Sequence, residues 1–255
     1  MQPQAAGTRY EVEAVVFDMD GVLIDSRPVI EEAWRSVARR HGRVLADPEI
    51  EEYVHGRTGD QTVRLIFPHH SDAERKAIWA EVDTVEEEAP YRAVPGADRL
   101  ATRLRQADVP VGLATSSWTR KIDNALGGLG LLDVFRVRVT RDDVERGKPH
   151  PDPYLSACRG LGVRPQRTLV FEDSVSGVRS AVAAGAVCVG IGGGRALVEA
   201  GAVVAVPDFT ALVVGEVGGA GRAAGAGAAG AAGTITLTDP DGLVTVALTV
   251  GPDGG

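Results

Sequence analysis

Residues 14–26, AVVFDMDGVLIDS, place two aspartates, Asp18 and Asp20, two residues apart at the end of an apolar run. Residues two apart on an extended chain point to the same side, so both carboxylates can face one reacting group. One could act as a nucleophile and the other as a proton donor and acceptor. Crowded carboxylates repel each other, and a hard divalent cation between them relieves that repulsion. Taken alone, the pair could equally be turn residues ahead of Gly21.

Three further groups of polar residues could join this pair. Thr115 and Ser116 follow the run VPVGLA, Lys148 lies in the segment RGKPHPDPY, and Glu172 and Asp173 end the run TLVFED. Taken singly, each could be a helix cap or a solvated loop residue. Ligands of open parallel sheets bind beyond the carboxyl ends of the strands. We therefore predict that these side chains converge at one edge of a sheet, where Mg²⁺ can bind among the carboxylates.

Short apolar runs that alternate with helical patterns predict the elements that position these residues. The runs are AVVF (14–17), VPVGLAT (109–115), TLVFED (168–173) and AVCVGIG (186–192), with VFRVRVT (134–140) as an outer strand and AVVAVPD (202–208) closing the sheet. Continuously apolar strands between helices are typical of parallel sheets buried on both faces. The predicted fold class is α/β, with a Rossmann-like doubly wound parallel sheet.

The residue pattern divides the chain into four parts. Residues 26–93 carry amphipathic helical patterns without a strand candidate and predict an inserted all-helical cap domain. Residues 1–25 and 94–214 form the predicted core domain. Residues 215–233 are rich in Gly and Ala and predict a flexible linker. Residues 234–255 contain two alternating runs around an Asp-Pro-Asp-Gly turn, which predicts a β-hairpin that must dock, pair with another chain or stay disordered.

Four segments in order, DMDGVLIDS, LATSS, GKPHPDPY and FEDSVSG, resemble the four motifs of the haloacid dehalogenase superfamily. Within that superfamily, the sequence is most similar to the sugar-phosphatase and β-phosphoglucomutase-like subfamily. The similarity extends from about residue 12 to residue 208, and the helical insertion matches the position of the family's cap. The resemblance implies a magnesium-dependent phosphatase that hydrolyses a small phosphorylated sugar or polyol.

The resemblance also implies a role for each matching residue. Asp18 would attack phosphorus and form an aspartyl-phosphate, and Asp20 would protonate the leaving alcohol and then activate water. Thr115 and the backbone amide of Ser116 would hold phosphoryl oxygens, and Lys148 would neutralise charge between the phosphate and Asp18. The implied metal ligands are Asp18, the backbone carbonyl of Asp20, Glu172 and Asp173.

Two residues of the predicted cap are candidates for substrate contacts. Arg57 and His55 lie in the segment VHGRTGDQT, between helical patterns, where the subfamily contacts its substrate. The mutase-type members carry a histidine a few residues after the first motif, and this chain has Ile30 at about that place. A sugar phosphomutase is therefore the less favoured alternative. A second alternative is an interaction protein that uses the C-terminal hairpin.

The composition limits the classes of partner. A net charge of -8 disfavours a nucleic-acid backbone as the partner. No apolar run reaches the ~20 residues that span a bilayer, and residues 1–14 lack the pattern of a signal peptide. Cys158 and Cys188 show no metal-type or disulfide-type spacing. We therefore expect a cytoplasmic protein without membrane or nucleic-acid partners, monomeric, with a dimer left open.

Overall fold

The computed structural model describes residues 8–55, 57–217, 234–242 and 244–249. The strands in these ranges are β1 (Thr8–Val12), β2 (Ala14–Phe17), β3 (Val111–Ala114), β4 (Val137–Val139), β5 (Thr168–Glu172), β6 (Val187–Ile191), β7 (Val204–Val206), β8 (Val213–Val217), β9 (Thr234–Thr238) and β10 (Val244–Thr249). The α-helices are α1 (Arg27–Arg40), α2 (Asp47–Tyr53), α3 (Gly59–Ile66), α4 (Asp72–Glu88), α5 (Ala97–Gln106), α6 (Thr119–Gly128), α7 (Asp152–Leu161), α8 (Val175–Ala184) and α9 (Arg195–Glu199). None of these helices has the length and apolar character that crossing a membrane requires.

Six strands form a parallel sheet in the order β4-β3-β2-β5-β6-β7. The chain order reverses between β2 and β5, which lie side by side at the centre, as in a doubly wound Rossmann-like sheet. The predicted fold class is confirmed. The half-exposed run around Val137 is the outer strand β4, and the run around Val204 is β7 at the opposite edge.

Both faces of this sheet are covered, which explains the continuously apolar strands. In β2, Phe17 packs with Leu100 of α5 and Ile122 of α6 in one hydrophobic cluster, whereas Val16 packs with Tyr154 of α7 and other residues in a second cluster. The ring of Phe17 stacks on that of Phe171 in β5, with 5.1 Å between centroids. This packing fixes the strand ends from which Asp18 and Asp173 project.

Helices α1–α4, called the cap below, form a separate hydrophobic cluster between β2 and α5. Trp34, Val37, Phe67 and Ile78 are among its buried members. Two chain segments join the cap to the sheet domain. They lie side by side, because the Asp25 amide donates to the carbonyl of residue 92 and the amide of residue 94 donates to that of residue 23.

The C-terminal hairpin is part of a second sheet within the chain. β9 and β10 pair antiparallel around the predicted turn, and the sheet order is β1-β10-β9-β8. Leu237, Val246 and Leu248 of the hairpin belong to the same hydrophobic cluster as Phe17. Of the three predicted outcomes for the hairpin, docking is therefore the one found.

The predicted linker needs one correction. Its first residues, 215–217, are not linker but the end of strand β8, which pairs with β9 from Val213 to Val217. The β-branched residues of VVGEV favour a strand, and the hairpin supplies the hydrogen-bonding partner. Residues 218–233 of the predicted linker lie outside the described residues, as do residues 250–255 of the predicted tail.

The buried face of the hairpin predicts a measurable loss of stability on truncation. Leu248 is fully buried, so Leu248→Ala should lower the free energy of unfolding by about 2–5 kcal/mol. Thr245, the matched control in the same strand, is half-buried, and Thr245→Ala should cost about 1 kcal/mol or less. Urea denaturation measures both. Equal, small losses for the two variants would show that the hairpin does not pack on the sheet domain.

Candidate active site

The carboxyl ends of three central strands meet at one edge of the parallel sheet. Phe17 in β2 pairs in register with Leu113 in β3 and with Phe171 in β5. Asp18, Thr115 and Asp173 follow these strands and therefore lie close together. They line a cavity of about 440 Å³ between the sheet and the cap. The other lining residues are Asp20, Gly21, Asp25, Ser26, Arg27, Ile30, His55, Arg57, Ser116, Lys148 and Ser174.

Asp18 lies at the floor of this cavity and is paired with Lys148. Its backbone amide donates to the carbonyl of Phe171, which fixes the chain as it leaves the sheet. Lys148 Nζ donates to Asp18 Oδ1 at 2.7 Å and to Glu172 Oε1 at 2.6 Å. Burial acts to lower the pKa of Lys148, but the charges of Asp18 and Glu172 outweigh burial and hold this pKa above its ordinary value. The lysine therefore remains a cation beside Asp18.

Glu172 is fully buried beneath the cavity and anchors this lysine. Besides Lys148, its Oε1 accepts a hydrogen bond from the Tyr154 hydroxyl at 2.9 Å. Its Oε2 accepts from the amide and the hydroxyl of Ser174, at 2.9 and 3.0 Å. A Cβ at position 177 would lie 1.6 Å from Oε1, so only glycine leaves room for the carboxylate. The predicted role of Glu172 as a metal ligand remains a prediction beside this anchoring role.

Asp18, Glu172 and Asp173 form an acidic group with the spacing of a metal site. One carboxylate oxygen from each lies within 4.8 Å of the others. Gly21 has a φ of +72°, and a Cβ there would lie 2.0 Å from Asp173 Oδ2, so the glycine makes room for this carboxylate. Oxygen donors of this type suit a hard divalent cation. The donor set and its spacing therefore fit the predicted metal.

Burial and neighbouring carboxylates raise the pKa values of two of these carboxyls. Burial and the charges of Glu172 and Asp20 raise the pKa of Asp18 to about 7, with Lys148 acting in the opposite direction. The Asp173 residue is exposed at the cavity, yet partial desolvation of its carboxyl, with the charges of Asp18 and Glu172, raises its pKa to about 8. A bound cation would favour the ionised form of both groups.

The surroundings of Asp20, in contrast, lower its pKa. Its Oδ1 accepts a hydrogen bond from Lys121 Nζ at 2.8 Å, and its Oδ2 accepts one from the Ser117 hydroxyl at 2.6 Å. Burial acts to raise its pKa, but the charge of Lys121 and hydrogen bonds from Lys121, Ser117 and Ser26 outweigh burial and hold the pKa below its ordinary value. Asp20 is therefore ionised at neutral pH and able to accept a proton.

The residues predicted to bind phosphate lie at the same edge. Thr115 is buried, its amide donates to the carbonyl of Val139, and its hydroxyl oxygen accepts from the Ser117 amide at 3.1 Å. Ser116 is exposed and lines the cavity. Phosphate binding by Thr115, Ser116 and Lys148 remains a prediction, and their common position beside Asp18 is what it requires.

The cap contributes the opposite wall of the cavity. His55 Nε2 lies 3.0 Å from Glu31 Oε1, and Arg57 Nε donates to the Glu52 carbonyl at 2.9 Å. Both residues line the cavity, as predicted substrate contacts must, although contact with a substrate remains a prediction. Arg27 of α1 lines the same wall and was not predicted, because a charged residue in the first turn of a helix is ordinarily solvated.

Lys121 and Glu86 are two further site residues that sequence reasoning missed. Lys121 Nζ donates to Glu86 Oε2 of α4 at 2.8 Å as well as to Asp20. Neither residue belongs to a motif, and each lies on an amphipathic helix where charged residues usually face solvent. The spacing of Lys121, four residues after Ser117, is the one available signal, and it is weak.

Comparisons with known proteins agree with this geometry. A family model described as haloacid dehalogenase-like hydrolase matches residues 12–185. The chain is 37% identical over 174 residues to "Hexitol phosphatase A" of Escherichia coli (strain K12), which covers 67% of this chain and 78% of that protein. It is 36% identical over 182 residues to "Validoxylamine A 7'-phosphate phosphatase" of Streptomyces hygroscopicus subsp. limoneus, covering 70% and 85%.

A solved structure has the same fold as this chain. The structure of a HAD family hydrolase from Deinococcus radiodurans R1, with bound phosphate and sodium, aligns with a TM-score of 0.63 at 30% sequence identity. The alignment covers 76% of this chain and 90% of that chain.

The raised pKa values predict how stability depends on pH without divalent cations. Asp18 and Asp173 have pKa values of about 7 and about 8 when folded, against 3.8 ordinarily, so the folded chain binds more protons than the unfolded chain in this range. The free energy of unfolding should therefore fall as the pH rises from about 5 to about 9. The lowered pKa of Asp20 acts below this window. Thermal denaturation in EDTA measures the trend.

The control for this prediction is Asp173→Asn, which removes one of the two titrating groups. The variant should lose less stability than the wild type between the same two pH values, and MgCl₂ should reduce the wild-type loss. Identical pH profiles for the wild type and Asp173→Asn would refute the assigned origin of the pH dependence.

Proposed function

The chain belongs to the haloacid dehalogenase-like hydrolases, and we propose that it is a magnesium-dependent phosphatase that hydrolyses a small phosphorylated sugar or polyol. The observation that carries the proposal is the pairing of Lys148 with Asp18 at the floor of a cavity that also holds Asp20 and Asp173. A carboxylate can attack a phosphate monoester only if positive charge offsets their repulsion. Lys148 supplies one such charge next to the attacking oxygen.

Asp18 is the proposed nucleophile. Its carboxylate oxygen forms a bond to phosphorus as the bond from phosphorus to the leaving alcohol breaks, which leaves the phosphoryl group on Asp18. Thr115, the amide of Ser116 and Lys148 would hold the phosphoryl oxygens in line with Asp18. Asp20 would give a proton to the departing alcohol oxygen and later take one from the water that hydrolyses the aspartyl-phosphate. The ionised state of Asp20 in the free protein suits the second of these tasks directly.

The proposed mechanism includes a magnesium ion at the acidic group. Asp18, Asp173, Glu172 and the backbone carbonyl of Asp20 would hold it, and it would supply the positive charge that the acidic group requires. The raised pKa values of Asp18 and Asp173 support this placement, because both carboxyls gain from a nearby cation.

The size of the cavity and its polar wall support a small, hydroxylated substrate. Its volume of about 440 Å³ lies in the range of small-molecule sites. Arg27, His55 and Arg57 line the cap side and can donate hydrogen bonds to hydroxyl groups. Two relatives are named as phosphatases, one for a hexitol and one for validoxylamine A 7'-phosphate, and a hexitol phosphate is a phosphorylated polyol, which agrees with this wall.

Two alternatives carry less support. Ile30, at about the place where the mutase-type members carry a histidine, lines the cavity, and its side chain cannot exchange a proton with a second sugar hydroxyl. The interaction-protein alternative requires a hairpin that is free to bind a partner. In the structure, β10 pairs with β1 and β9 pairs with β8 in the chain's own sheet. Neither observation favours a second function.

The experiment that tests the proposal measures products from a panel of sugar and polyol phosphates, with MgCl₂ or with EDTA. We expect inorganic phosphate to be released from at least one hexitol or glycerol phosphate in MgCl₂ and not in EDTA. Chromatography of the organic products separates hydrolysis from transfer. An isomerised sugar phosphate without free phosphate would identify a mutase and contradict the proposal.

The nucleophile assignment has its own test. Asp18→Asn keeps the size of the side chain but loses the attacking carboxylate, and we expect phosphate release to fall by roughly 10,000-fold or more. The matched control is Asp98→Asn on α5, an exposed aspartate outside the cavity, which should keep wild-type turnover. Far-ultraviolet circular dichroism should show the same fold for both variants. Substantial phosphate release by folded Asp18→Asn would refute the assignment.

A further inference from the structure

Lys121, in the first turn of α6, is a buried lysine that joins the sheet domain to the cap. Its side chain is 3% exposed, and its Nζ contacts both Asp20 Oδ1 and Glu86 Oε2 at 2.8 Å. Asp20 follows β2, and Glu86 lies near the end of the cap helix α4. A buried ammonium group is stable only when anionic or hydrogen-bonding partners compensate its desolvation. The two carboxylates supply that compensation, one from the sheet domain and one from the cap.

The surroundings of Lys121 leave its ammonium group little freedom. The rings of Tyr91 and Trp118 lie 5.7 and 5.5 Å from Nζ, within the range of cation–π contacts. Tyr91 belongs to the segment that leads from α4 back to the sheet domain, and its hydroxyl donates to the Glu86 carbonyl. The lysine therefore lies in a fixed pocket made by both parts of the chain.

Asp20 is held at both carboxylate oxygens as a result. Lys121 donates to Oδ1, and the Ser117 hydroxyl donates to Oδ2 at 2.6 Å. Both donors come from the segment around the start of α6, so they fix the plane of the carboxylate as well as its position. Glu86 in turn fixes Lys121 from the cap.

We propose that Lys121 is a positioning residue for Asp20 and that Glu86 supports it from the cap. The inference rests on the proposed function, in which water attacks the phosphorus of the aspartyl-phosphate. The bond from Asp18 to phosphorus then breaks, and the water proton passes to a carboxylate oxygen of Asp20. Proton transfer to a positioned group is sensitive to its placement. Lys121 keeps the accepting carboxylate in place, and the cap helix takes part through Glu86.

p-Nitrophenyl phosphate, assayed in MgCl₂, separates this role from a structural one. Its leaving group departs without a proton, so kcat/KM reports formation of the aspartyl-phosphate and kcat includes its hydrolysis. We expect Lys121→Met to lower kcat by roughly 10- to 100-fold while kcat/KM changes by less than about threefold. Rapid mixing should then show a burst of p-nitrophenol of about one equivalent per chain, because the aspartyl-phosphate accumulates.

The conservative variant Glu86→Gln tests the cap side and keeps the inference testable if Lys121→Met fails to fold. It should lower kcat by a smaller factor than Lys121→Met, again with kcat/KM preserved. Glu87→Gln is the matched control, because Glu87 lies on the same helix and contacts Trp118 and Arg120 of the sheet domain but not Lys121. The control should keep both the wild-type kcat and kcat/KM.

Failure of this inference differs from failure of the proposed function. If the wild type released no phosphate from p-nitrophenyl phosphate or from any sugar or polyol phosphate, the proposed function would fail. If the wild type is active and Lys121→Met lowers kcat and kcat/KM together, or changes neither, Lys121 does not position Asp20. The same kinetic change in Glu86→Gln and Glu87→Gln would overturn the role given to Glu86.

Discussion

The repulsion among carboxylates at one edge of the parallel sheet is the constraint on which the rest of the site depends. Asp18, Glu172 and Asp173 have oxygens within 4.8 Å of one another, and the register of β2 and β5 keeps them there. Specific contacts and spaces lower the electrostatic cost of bringing these carboxylates together. Lys148 bonds to Asp18 and Glu172, and Gly21 and Gly177 leave space that any larger residue would fill. Burial and the charges of Glu172 and Asp20 nevertheless raise the pKa of Asp18 to about 7.

Two lysines give the two aspartates of the first motif different surroundings. Lys148 lies beside Asp18 at the sheet edge, whereas Lys121 lies beside Asp20 and reaches the cap through Glu86. The environments push the two pKa values apart, up for Asp18 and down for Asp20. In the proposed mechanism, magnesium would favour the ionised, attacking form of Asp18, whereas Asp20 is ionised without it.

Much of this arrangement could be predicted from the sequence, and the remainder has physical reasons for being hidden. Asp18, Thr115 and Asp173 come at or directly after the ends of predicted strands. Because the carboxyl ends of parallel strands meet at one edge of a sheet, their proximity could be predicted. Lys121 and Glu86 meet only in three dimensions, and each by itself resembles a solvated helix residue. Strands β1 and β8 were missed because β1 is short and mostly polar and β8 has its partner some twenty residues later, across the Gly/Ala-rich segment. Tertiary pairing determined these elements more than local preference did.

Binding of magnesium to the free protein tests the central claim most directly. Isothermal titration calorimetry with MgCl₂ should show a single site per chain, with protons released on binding because Asp18 and Asp173 must ionise. The binding enthalpy should therefore depend on the ionisation enthalpy of the buffer, and Asp173→Asn should weaken binding strongly. An absence of magnesium binding by a protein that still releases phosphate, or unchanged binding in Asp173→Asn, would contradict the account.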